Sequence, residues 1–376
     1  MSPGEDEPFP WHIGVFDAHC HPTDTVASIE QVSSMKCRAL TIMATRRQDQ
    51  HLVVDFAKKL GYVEGTEAKK FVIPSFGFHP WFSHQILDDR DRKVHDLPST
   101  RDHYKQVITP CPEDEEFLVS LPEPQRLSEI LHETRELLVQ FPYAVVGEIG
   151  LDKAFRIPGT ELLDPSREAD PALTPGSRDG RKLSPYHVDM DHQRKVITAQ
   201  LNLAGEMQRA VSVHGVAAHG VVFDTLSATW RGHEKNLGSK RERRGLPMDE
   251  ATHVDGDYSY SGSAVKPFPP RICLHSYSGA ADTVKLYLQP AIPANIFFSF
   301  STLVNFSSSS KKAIESIRTV PHDKILAESD LHAAGQKMDE LMEDIVRRIC
   351  AIKGWSLQHG VKQLESNWRH FIFGLR

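Results

Sequence analysis

Several features that would direct a reading are missing from this chain. No run approaches the roughly 20 consecutive apolar residues a membrane helix requires, so no helical span is expected. Met1 to Pro10 is acidic and carries prolines, with no basic stretch leading into an apolar one, which argues against a secretory leader. Cysteine is scarce and odd in number, five in all, without any Cys-x-x-Cys. A disulfide framework is therefore not expected, and reduced thiols in a cytoplasmic or nuclear protein are. There is no excess of basic charge: the net charge is −6, which lacks the overall signature of a nucleic-acid binder. That balance does not exclude a nucleic-acid substrate, because bound divalent cations would supply positive charge where phosphates dock. No Gly-x-Gly-x-x-Gly follows the first apolar run, which speaks against a dinucleotide-binding sheet.

What the chain does have is histidine, 20 residues of it, and the pattern begins with Asp17-Ala18-His19-Cys20-His21. This motif follows a strand-like run from Ile13 to Phe16. Strand side chains alternate faces, so His19 and His21 point the same way and can reach one cation, while Cys20 points to the packing side. A His-x-His alone is a weak signal, since two turn histidines look the same.

Later apolar runs repeat the arrangement. Runs at Arg38–Met43, Phe71–Phe78, Ala144–Glu148, Ala210–Val213, Arg271–Leu274, Asn295–Phe300 and Lys324–Ala327 read as strands. Between them, helical spacing predicts helices near Val26–Met35, Asp49–Leu60, Gln125–Gln140, Asp189–Gln208, Val216–Trp230, Gly279–Leu288 and Asn305–Ile317. Two more, Met338–Lys353 and Ser356–Phe373, finish the chain. About eight strands, most followed by helices, imply parallel βαβ units and favour a closed α/β (β/α)8 TIM barrel in a single domain. Three stretches poor in apolar periodicity, about 84–124, 154–187 and 231–270, read as long loop insertions. The third contains Lys240-Arg241-Glu242-Arg243-Arg244, which reads either as a solvated loop or as a basic patch.

In such barrels the active site lies at the C-terminal strand ends. His19 and His21 follow the first strand, His79 the third, Glu148 the fourth, His214 the fifth, His275 the sixth and Asp330 the eighth. A random scatter would place histidines on helices and inserts as often. Taken jointly, these residues point to a metal site.

The ordered motifs also resemble a family. Asp17-Ala18-His19-Cys20-His21, Gly77-Phe78-His79-Pro80, Gly147-Glu148-Ile149-Gly150-Leu151-Asp152, His275-Ser276-Tyr277-Ser278-Gly279 and Glu328-Ser329-Asp330 are similar to those of the TatD-type metal-dependent deoxyribonucleases, which are amidohydrolase-like barrels. The resemblance runs from about Phe16 to Phe373 apart from the inserts. The inserts resemble those of fungal members, some described as interactors of an anaphase-promoting-complex subunit. The resemblance implies a hydrolase of phosphodiester bonds with two divalent ions, Zn2+, Mg2+ or Mn2+. His19, His21, Glu148 and Asp330 would hold one, and Glu148, His214 and His275 the other. Glu148 would bridge, Asp330 would be the general base and His79 would contact substrate phosphate. Glu328 would orient ligands from behind.

Two departures from the family pattern are mild, Ser329 for threonine and Tyr277 for phenylalanine. His332 stands where the family usually has proline, which leaves the following loop open. DNA or another phosphodiester is the expected substrate, with a protein partner through the inserts as an addition and no membrane contact. The competing expectations are a hydrolase of a small amide or lactone, and a barrel serving chiefly as an interaction partner. Many amidohydrolases bridge their metals with a lysine, and Glu148 in that place favours the nuclease.

Overall fold

The computed structural model describes residues 7–374, except 66–68, 92, 164–169, 177, 179, 238–265 and 308–309. Eight parallel strands form one sheet in sequential order: β1 (Phe16–Cys20), β2 (Ala39–Met43), β3 (Phe71–Phe76), β4 (Val145–Asp152), β5 (Val211–Val216), β6 (Arg271–Leu274), β7 (Asn295–Phe300) and β8 (Ile325–Ala327). Almost every strand residue is buried, as expected for parallel strands covered by helices outside and packed side chains inside. No ladder joins β8 to β1. The ends are fastened instead by loop bonds: the Asp330 amide donates to the His19 carbonyl at 3.0 Å, and the His21 amide to the Leu331 carbonyl at 2.8 Å.

The strand tally and the barrel agree with the sequence reading, but several boundaries move. The first strand is Phe16–Cys20, not Ile13–Phe16, so His19 lies within it. Trp11–Ile13 is a 3-10 turn, ended by Gly14 at φ 111°, a backbone conformation that favours glycine. Val26–Ser34 is a 3-10 helix rather than an α-helix. The stretch read as one helix over Asn305–Ile317 is two, Thr302–Asn305 and Lys311–Thr319.

The register breaks twice where it matters. The β1–β2 ladder shifts between Asp17 and Cys20, and the β4–β5 ladder shifts between Val211 and Val213, opposite Val146 to Ile149. Such bulges re-aim side chains beside barrel rims. Here Phe16, Ala18 and Val145 pack in the barrel floor, while His19 and Glu148, which lie within the breaks, meet at the mouth.

The floor is closed by the C-terminal helix, Leu357–Phe373. Trp368, Phe371 and Ile372 pack against Phe16, Ile73, Val145 and Phe297. The Trp368 indole N–H donates to Thr41 Oγ1 at 3.0 Å, which satisfies the polar edge of a ring with 1% exposure.

The first two inserts are built structures rather than the loose connections that their charge and proline content suggested. The 84–124 insert carries helices Thr100–Val107 and Glu115–Ser120, capped by Ser99 and Asp114. Tyr104, Val107, Phe117 and Leu118 form a small core with Ile157 and Val188 of the second insert and its edge. The second insert adds an antiparallel hairpin, Pro158–Leu162 with Arg181–Leu183. It is strapped to the barrel by Arg46, which donates to the carbonyls of Thr174 (3.2 Å) and Pro175 (3.1 Å). Of the third insert, the basic stretch Lys240–Arg244 lies outside the described residues. No helix among the described residues is long and apolar enough to cross a membrane.

The ring of Trp368 holds the floor to β2, so Trp368→Ala is expected to cost about 3–5 kcal/mol of stability. Urea unfolding followed by circular dichroism checks this, and a change below about 1 kcal/mol would show that the helix is not part of the core.

Candidate metal centre

Glu148 lies at the centre of the barrel mouth, 3% exposed, with imidazoles on both sides of its carboxylate. On one side, Oε2 is 3.4 Å from His19 Nε2 and 3.2 Å from His21 Nε2. Asp330 Oδ1 completes this side, 3.5 Å from His21 Nε2 and 3.8 Å from His19 Nε2. On the other side, Oε1 is 2.7 Å from His275 Nε2, 2.9 Å from His214 Nδ1 and 3.1 Å from His79 Nε2. All seven residues singled out in the sequence therefore meet at one place. Three groupings bring ligand atoms within 4.8 Å of one another: His19, His21 and Glu148; His79, Glu148 and His214; and His19, His275 and Glu328.

The donor set fits a cation. His214 Nε2 faces the Asp152 carboxylate at 3.2 Å, an acceptor only, so that nitrogen carries the hydrogen. Its Nδ1 then turns a lone pair toward Glu148 Oε1 and, at 3.1 Å, His275 Nε2. His19 and His21 similarly bring their Nε2 atoms to 3.0 Å, with His19 Nδ1 anchored 2.8 Å from Ser212 Oγ. Lone pairs pointing at one another and at a carboxylate need positive charge between them, either protons or a metal. The electrostatics say the same. Burial pushes the His21 and His275 imidazoles down, yet contacts with Glu148, together with Asp330 for His21 and Glu328 for His275, more than offset it. His21 rises to about 10 and His275 also rises well above the ordinary imidazole value. Burial raises Glu148, but His79, His275 and His19 around it hold it well below the usual carboxylate range. A cation bound here would displace those imidazole protons.

His79 behaves differently from the others. Its Nδ1 accepts the Trp81 amide hydrogen at 3.2 Å, so in the neutral ring Nε2 carries the hydrogen. Burial lowers its pKa to about 4, which keeps the ring neutral. His79 is therefore a hydrogen donor aimed at the centre, unsuited to ligate through Nε2.

Asp330 is held at φ 53°, a left-handed conformation uncommon outside glycine, and its side chain is 16% exposed to the cleft. Ser276, also at positive φ, places its hydroxyl 2.6 Å from Glu328 Oε1 and 3.2 Å from Asp330 Oδ2, with one hydrogen to donate to either. Glu328 is fully buried and lies 3.5 Å from His275 Nδ1. His332, at the family's proline position, is held in place: its Nδ1 sits 2.6 Å from Asp24 Oδ2 and its ring stacks on His21 at 5.3 Å.

Sequence reasoning missed Asp152, Ser212 and Asp17. Asp152 holds His214, and its own carboxyl is lowered to about 2, because the His214 contact and the Trp81 hydrogen bond outweigh burial. It lies four residues beyond Glu148 on the same strand, so period-two spacing was the available signal. Asp17 Oδ1 accepts from the amides of His19 and Ser329, both at 3.1 Å, and ties β1 to the Asp330 loop. Burial raises its carboxyl to about 7.

A cleft of about 930 Å³ opens above the cluster, within the size range of ligand pockets. An eight-stranded parallel barrel with buried histidines and carboxylates at its C-terminal rim defines the class of metal-dependent barrel hydrolases. Residues 16–372 match the TatD related DNase family, and the chain belongs to it. It is 38% identical over 362 residues to the Cut9-interacting protein scn1 of Schizosaccharomyces pombe, covering 95% of this chain and 98% of that one. It is 27% identical over 323 residues to an uncharacterized deoxyribonuclease of Saccharomyces cerevisiae, covering 84% and 82%. Solved structures of the same fold include a TatD homologue from Escherichia coli (TM-score 0.52, 15% identity, 96% and 98% covered). An uncharacterized amidohydrolase from Saccharomyces cerevisiae is another (TM-score 0.54, 13% identity, 96% and 99% covered).

Asp152→Asn removes the carboxylate behind His214, and metal affinity is expected to fall roughly 10- to 100-fold. Titration calorimetry with Zn2+ or Mn2+ measures it, and unchanged affinity would separate His214 from the metal centre. Affinity for either ion is also expected to drop as pH falls, because protons compete for the imidazole nitrogens. Calorimetry in buffers of different ionisation enthalpy should register proton release on binding.

Proposed function

We propose that the protein is a metal-dependent phosphodiesterase acting on DNA, built as one barrel domain with three inserts. The observation that carries this reading is the split of the Glu148 carboxylate, with Oε2 facing His19 and His21, which also face Asp330, and Oε1 facing His214 and His275. His19, His21, Glu148 and Asp330 would hold one divalent cation, and Glu148, His214 and His275 a second. Such a pair supplies Lewis-acid polarisation of the phosphoryl group and lowers the pKa of a water molecule. The imidazole-rich donor set suits Zn2+, while the carboxylates also admit Mg2+ or Mn2+.

The chain's own residues do the rest. Asp330, the more exposed carboxylate, takes the proton of the attacking water. Burial raises its carboxyl, but the bond with His21 and the nearby His275 and His19 hold it well below the usual range, so it is ionised. His79 offers Nε2–H to a phosphate oxygen. Ser276 and Glu328 fix the angle at which Asp330 and His275 are presented. A bridging glutamate in place of a lysine favours the phosphodiesterase over an amide or lactone hydrolase. The name of the fission-yeast relative supports a protein partner as an additional role, for which the inserts are the proposed surface, and five free cysteines are compatible with a cytoplasmic or nuclear location.

Asp330→Ala is expected to slow metal-dependent cleavage of single-stranded DNA by a factor on the order of 100 or more. Cleavage by the variant at the wild-type rate would remove the assigned base, and no cleavage by either protein with Mg2+, Mn2+ or Zn2+ would remove the nuclease reading.

A further inference from the structure

One wall of the cleft has no part in holding a cation. Trp81 and Phe155 both line it, and their rings stack with centroids 4.8 Å apart and planes 12° from parallel. Each ring is fixed from a different side. The Trp81 indole N–H donates to Asp152 Oδ2 at 2.6 Å. Phe155 packs against the insert core of Tyr104, Phe117 and Ile157. Leu183 of the second insert also lines the cleft. A phosphodiester alone makes no use of an aromatic wall, because its oxygens need donors and cations.

We propose that Trp81 and Phe155 form a stacking platform for the nucleobase of the nucleotide at the scissile phosphate, so that the enzyme selects base-bearing over abasic phosphodiesters. This rests on the phosphodiesterase reading above and adds the substrate feature that the cleft reads. The platform belongs to the reacting nucleotide rather than to a remote one, because the Trp81 ring lies 6.2 Å from that of His214. Every base has a π face, so stacking of this kind tolerates all four bases. It also assigns a task to the first two inserts: they hold Phe155 against Trp81, and so make the wall part of the active site.

The test uses the full chain loaded with Mn2+ and two tetranucleotides of equal length, one of thymidines and one with abasic sugars flanking the cleaved bond. Wild type should cleave the thymidine substrate with the higher kcat/KM. Phe155→Leu keeps the apolar volume of the insert core and removes the ring, and the preference should fall about tenfold. Phe155→Trp should retain it. Equilibrium binding of the same oligonucleotides in EDTA, free of turnover, should show the same loss of preference. Equal cleavage of both substrates by wild type would overturn the platform while leaving the phosphodiesterase reading intact. An equal fall on both substrates in Phe155→Leu would assign Phe155 a structural role only, and also overturn it. Cleavage of neither substrate by wild type would instead overturn the phosphodiesterase reading, and the platform with it.

Discussion

One buried carboxylate sets the terms for this molecule. Glu148 sits in a ring of imidazoles from β1, β5, β6 and the loop after β3, and ionised it could not stay there without positive charge close by. Burying a lone carboxylate is costly, so the histidines are a condition for Glu148 as much as the reverse. The need for charge explains why the outer nitrogens are themselves managed, His214 by Asp152 and His19 by Ser212. It also explains the neutral His79, whose Nε2–H can donate to Glu148 without adding a further formal charge.

The barrel delivers these groups by breaking its own regularity. An unbroken alternation would leave Ala18 and Gly147 facing the site and turn His19 and Glu148 outward. The register shifts in β1 and β4, where three residues run beside two of the neighbouring strand, reverse that, and small residues make room for them. A Cβ on Gly150 would lie 2.3 Å from the His214 carbonyl oxygen, which only glycine avoids at this approach of β4 to β5. Bulk at the floor, from Trp368 and Phe371, leaves the upper half of the barrel for polar side chains.

Much of this was legible in the sequence, and the limits have physical reasons. The eight strands were visible because fully buried strands read as short apolar runs, as at Ala39–Met43 and Asn295–Phe300. The site residues were visible because they recur at strand ends. The register breaks were not, since a bulge leaves no mark that alternation can show. Asp152 and Ser212 escaped notice because each acts through another residue, Asp152 on His214 and Ser212 on His19. The first insert looked structureless because its apolar residues are few. Tyr104 and Phe117 complete their small core with Ile157 and Val188, more than 35 residues further on.

The two ends of the barrel sheet are joined by the loop that carries Asp330, without a strand ladder across the seam. That seam has single backbone bonds in place of a ladder, and the Asp330 amide is itself one of its stitches. A change that parts the staves along this line would therefore also draw the Asp330 carboxylate away from His19 and His21.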